Sequence, residues 1–199
     1  MDIRLSVEMK LKKGNQILFT RDSDCLQGLI RLIEKQKHRT LVKWALDCAQ
    51  VPLVRFETRY PDEPRPRAAL AACEAWARGQ IKMPEAKRAI LAAHAVAKAI
   101  EDKECIALVH AIGQAGSTVH TETHALGLVF YELTALVLRV GLEQCDAVVS
   151  EKIAWYCERL SYWQDHSDDR EISWAKFLLD DARPNPEQLR NEKHRTLKS

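Results

Sequence analysis

The feature that most constrains this chain is a succession of apolar stripes at helical spacing, which begins at Pro66 and continues past residue 160. RAALAACEAWARG closes on Gly79, a residue suited to the left-handed position that ends a helix. PEAKRAILAAHAVAKAIED opens with Pro84 in its first turn and acidic Glu85 beside it, which together mark a helix start. KECIALVHAIGQAG, then STVHTETHALG running on through LVFYELTALVLRV, then EQCDAVVSEKIAWYCERLSYWQ repeat the spacing, and a shorter element follows around ISWAKFLLDDA. Alanine is so frequent here that neighbouring helices can approach closely.

Upstream, SDCLQGLIRLIEKQ and TLVKWALDCA carry the same period. Residues 5–20, LSVEMKLKKGNQILFT, alternate weakly about Lys13, Gly14 and Asn15, which fits a short β-hairpin and, nearly as well, a helix followed by a turn. Four prolines in VPLVRFETRYPDEPRPR predict an extended connector over 51–66, because proline lacks the backbone donor and bars its predecessor from helical geometry. The tail 183–199 is polar with no sustained apolar face and reads as flexible. The expectation is an all-α fold: one domain over 1–182, a bundle of about eight mostly antiparallel helices.

Composition narrows the function. With 46% hydrophobic and 29% charged residues the chain has the make-up of an ordinary globular protein. No window approaches the roughly 18 apolar residues that span a bilayer, and the opening MDIRLSVEMKLKK interleaves charges where a signal peptide needs an apolar core, so the reading is cytoplasmic, with no membrane partner. Six scattered cysteines without a CxxC pair read as buried free thiols. The net charge of +2 argues against a dedicated nucleic-acid binder.

That charge is unevenly spread: +5 over 1–60, 0 over 61–142, −6 over 143–182 and +3 over 183–199. In the acidic part, Asp165, Asp168, Asp169 and Glu171 form a cluster beside Trp163. It reads as a solvated loop or helix cap, or more sharply as a docking face for a basic protein partner with Trp163 as an aromatic anchor.

Four of the seven histidines, His94, His110, His120 and His124, fall within one short stretch. A hairpin turning near Asp102 would set His94 and His110 at one height, and a turn near Gly116 would let His120 and His124 bracket His110. If Ser117 or Thr118 capped the next helix, His120 would lie in its first turn and share a face with His124. The stripe through His94 is otherwise polar, which makes it a rim residue. The cluster reads chiefly as polar packing, with no metal and no cofactor. The alternative is a metal site from His110, His120 and His124, serving a small metal-dependent enzyme. HExxH, Walker, GxSxG and GxGxxG signatures are all missing, so catalysis is not the favoured reading. A homodimeric scaffold formed through the Ala-rich faces is a further alternative.

Three segments carry a resemblance. PRAALAACEAWARGQIK (66–82), EAKRAILAAHAVAKA (85–99) and AIGQAGSTVHTETHALG (111–127) resemble the immunity proteins of bacterial polymorphic toxin systems, a helical family with an AWARG segment, an AAHAAA helix and a GxAxxTxHxxxHALG segment. The matching positions are Pro66, Arg67, Ala75, Trp76, Ala77, Arg78 and Gly79, then His94, then Gly113, Gln114, Ala115, His120, His124, Ala125, Leu126 and Gly127. The N-terminal extension, the acidic C-terminal helices and the basic tail depart from the pattern. The resemblance implies a cytoplasmic protein that neutralises a cognate protein toxin by steric occlusion, and supplies no catalytic residues.

Overall fold

The computed structural model describes residues 2–168 and 172–181, and every regular element among them is helical. The helices are α1 (Ile3–Lys12), α2 (Gln27–Ile33), α3 (His38–Cys48), α4 (Gln50–Arg59), α5 (Arg65–Ala77), α6 (Met83–Val96), α7 (Lys103–Ser117), α8 (His124–Val140) and α9 (Cys145–His166). Single 3-10 turns stand at Asp24–Leu26 and Lys176–Leu178.

Of the two readings open for residues 5–20, the helix followed by a turn is the one observed, as α1. Ile3, Val7 and Leu11, four residues apart, face the core from α1, and the Asp2 side chain caps it by accepting from the Arg4 amide at 2.9 Å. After the turn at Gly14 the chain runs extended, but it pairs with helices and not with a strand. The Leu18 amide donates to Thr134 Oγ1 on α8 at 3.0 Å, and Lys10 Nζ donates to the Leu18 carbonyl at 2.8 Å. Leu18 and Phe19 are thereby buried.

The connector expected over 51–66 is a second correction. Residues 50–59 form α4, with Pro52 in its first turn, where a missing N–H costs no hydrogen bond. Burial of Leu53 and Phe56 outweighs the local preference against helix, and the irregular stretch shrinks to residues 60–64. The tail 183–199 lies outside the described residues.

Downstream the caps fall where the spacing puts them. At the end of α5 the amides of Gly79 and Gln80 return to the carbonyls of Trp76 and Ala75, and Gly79 takes φ 76°. Glu85 accepts from the Lys82 amide at the start of α6. α6 stops at Val96, short of the expected end near residue 101, and Asp102 caps α7 by accepting from the Cys105 amide. α7 is the central helix, packed against α3, α4, α5, α6 and α8. Five of its buried residues are alanine or glycine (Ala107, Ala111, Gly113, Ala115 and Gly116), so neighbours come close on those faces. α9 crosses α1, α2, α3 and α8 on the other side of the same core.

Candidate functional site

The segments singled out in the sequence meet around α7. Gly113 has no room for a side chain, since a methyl group there would lie 2.5 Å from His94 Nε2. The glycine thus lets the Cε1–Nε2 edge of the His94 ring of α6 press against α7. Gly127 does the same one helix further on, where a methyl group would fall 2.5 Å from Gln114 Oε1. That oxygen lies 2.6 Å from His124 Nδ1, the first residue of α8. Two glycines, one glutamine and two histidines therefore knit α6, α7 and α8 together.

His94 and His110 face each other, Nδ1 to Nδ1, at 3.1 Å. With one ring donating and the other accepting, the pair is satisfied only when both are neutral or share a single proton. Burial lowers both pKa values, and for His94 the neighbouring His110 and His124 push in the same direction. His110 also packs on the Tyr131 ring, with centroids 5.0 Å apart. His94 is half-buried at the edge of the bundle, as its polar stripe indicates.

The other two histidines sit differently from expectation. α7 continues through Ser117, so neither Ser117 nor Thr118 caps a helix containing His120. His120 lies in the α7–α8 loop, exposed, stacked on Trp76 at 6.2 Å, while His124 begins α8. They share no helix face. His110, His120 and His124 each meet different partners, and no three His, Cys, Asp or Glu side chains converge on a metal-sized site among the described residues. All six cysteines are free thiols.

Of the acidic cluster, Asp168 is bonded within the chain. Asp168 binds Lys37 at 2.7 Å and the buried Arg39 at 2.5 Å, and these two cations hold its carboxyl down to about 2. Arg39 also binds Asp181 at 2.5 Å, and Thr40 and Ser167 hydroxyls pair beneath at 2.8 Å. Trp163 donates its indole N–H to Asp47, which also binds Arg159. Asp165 is exposed, and Asp169 and Glu171 lie outside the described residues. The basic α3 and the acidic end of α9 thus meet each other.

One buried network escaped the sequence reading. Glu132 of α8, 5% exposed, binds Lys152 Nζ at 2.7 Å and accepts from the Tyr156 hydroxyl, both on α9. Burial raises its carboxyl above the usual range against the pull of Lys152. Lys152 lies 3.7 Å over the Trp155 ring, and the Trp44 indole N–H donates to the Tyr156 carbonyl at 3.0 Å. The available signal was one acid inside the apolar run LVFYELTALVLRV, with Lys152 and Tyr156 four apart on the facing helix.

Residues 31–161 match the family model described as Imm-5 like putative immunity protein. No match to the chain is found among curated proteins or among solved structures. The family match takes in about two thirds of the 199 residues and holds the glycine-seated histidine lock within it. By that match, the chain belongs to the Imm-5 like immunity-protein family.

Proposed function

We propose that this chain protects the bacterium that makes it by binding a cognate protein toxin in the cytoplasm and covering the toxin's working surface. The family match over 31–161 carries the reading. Two features of the molecule support occlusion over catalysis. Among the described residues His110, His120 and His124 do not converge on one centre, and the buried polar network of Glu132, Lys152 and Tyr156 is closed. No helix among the described residues is long and apolar enough to cross a membrane.

Mimicry of a nucleic-acid substrate by the acidic segment has less support, because Asp168 spends its charge on Lys37 and Arg39. The Ala-rich faces that would support a homodimer are used inside the bundle, with Ala69, Ala77, Ala86 and Ala93 all buried.

The test is co-expression of the chain with the toxin encoded beside it. Restored growth, together with a complex that co-elutes in gel filtration, is the expected result. Unrelieved toxicity at matched expression contradicts the proposal.

A further inference from the structure

A groove of about 920 Å³ runs between the turn at Gly14–Gln16, the C-terminal half of α6, the N-terminal half of α7 and one face of α8. Its size falls within the range of clefts that enclose a bound group, about 300–1,000 Å³. Leu91 of α6 and Leu138 of α8 line it while 57% and 37% exposed, and Ile106 adds to the apolar wall. The floor is polar: His94, His110 and Tyr131. Each imidazole spends Nδ1 on the other, and neither Nε2 has a hydrogen-bond partner among the described residues. The Cε1–Nε2 edge of His94 packs on Gly113 of α7, so the two rings line the groove as a pair fixed in place.

The charges at the mouth set the sign of what fits. Asp102 and Glu104 border the start of α7, but Arg59 and Arg55 neutralise them. Lys98 and Lys103 line the groove, exposed, with no ion-pair partner among the described residues, and Glu101 between them leaves the mouth one positive charge in excess. An occupant needs an apolar body for Leu91, Ile106 and Leu138, and a carboxylate for Lys98 and Lys103.

We infer that this groove is where the chain grips its toxin, and that it receives an apolar segment of that protein bearing an acidic side chain. The inference rests on the immunity reading and adds the surface and the chemistry of the contact. A standard protein interface buries about 800 Å² on each side, so the groove is the anchoring pocket of a larger contact, where a few side chains carry most of the affinity.

The test is calorimetric titration of the full chain with the purified toxin encoded beside it, using three variants of exposed positions. Leu91→Arg should weaken binding at least about tenfold, as loss of an anchor does. The double variant Lys98→Glu, Lys103→Glu should weaken it by a factor that shrinks as salt is raised. Val54→Arg places the same charge on an exposed apolar residue of α4 outside the groove and should bind as the parent does. Thermal midpoints check the fold, and if Leu91→Arg unfolds, the lysine pair carries the test. Parent-like affinity in both groove variants overturns the inference and leaves the immunity reading standing. A parent chain that does not bind the toxin overturns both.

Discussion

Two polar clusters lie within the same helical framework and are built on opposite plans. Glu132, Lys152 and Tyr156 are charged, buried and closed, each partner satisfying the next beneath Trp155 and Trp44. His94 and His110 are half-buried, their pKa values lowered by burial, and they line a groove. A closed charged network fixes how α8 and α9 sit and offers nothing to a partner. A pair of imidazoles lining a groove contributes less to stability and lies where a partner can reach it. The difference separates what holds this molecule together from what it presents.

The largest expected effect breaks the closed cluster. Lys152→Met strands the buried Glu132 carboxylate and should cost about 3 kcal/mol in urea unfolding, in keeping with removal of one partner from a buried pair. Because burial already raises the Glu132 carboxyl, the folded state takes up its proton more readily than the unfolded state. The loss should therefore shrink as pH falls from about 8 to about 5.

Next come the glycine seats. Gly113→Ala and Gly127→Ala force a methyl group into the His94 ring and the Gln114 amide, and each should cost about 1–3 kcal/mol. Gly113→Ala should be partly rescued by His94→Ala, whereas Gly127→Ala, which meets Gln114, should show no relief when His94 is changed, a distinction a double-mutant cycle measures.

Smaller still is the clasp between α3 and the end of α9. Asp168→Ala should cost about 1 kcal/mol, since its partner Arg39 is buried while Asp168 itself is exposed. Asp168 titrates at about 2 when folded, so this contribution is complete above the ordinary aspartate range and is lost only as pH falls toward 2.

The smallest effect sharpens the open cluster. Its imidazoles have lowered pKa values, so the unfolded chain binds protons first. Stability should be complete above the ordinary histidine value near 6.5 and decline as pH falls through it, and His110→Phe should flatten that slope in denaturant titrations.

Much of the framework was legible because period and punctuation agree along the chain. Gly79, Glu85 and Asp102 cap helices, and the alanine stripes are the buried faces. The misreadings occurred where a local rule met tertiary burial. Pro52 and Val51 argue against helix, yet Leu53 and Phe56 need a helical face to reach the core. In residues 5–12, weak alternation competes with the Ile3, Val7, Leu11 stripe, and only the packing of α1 on the core decides between them.

The site was legible in height and not in boundary. Equal distances from Asp102 place His94 and His110 on one level, and they face each other. A turn guessed near Gly116 put His120 in the wrong element, because Gly116 reads as a breaker but serves as a close contact inside α7, against the Cys73 thiol. The ion pairs from α3 to Asp168 and Asp181 span more than a hundred residues of sequence, so no local pattern announces them.

The most direct test of the central claim is inhibition of the toxin itself. Increasing amounts of tag-free chain are added to the purified toxin encoded beside it while the toxin's activity is followed. Activity that falls to zero at an equimolar ratio is expected of a protein that occludes its partner. Undiminished toxin activity at a large excess of folded chain would contradict the account.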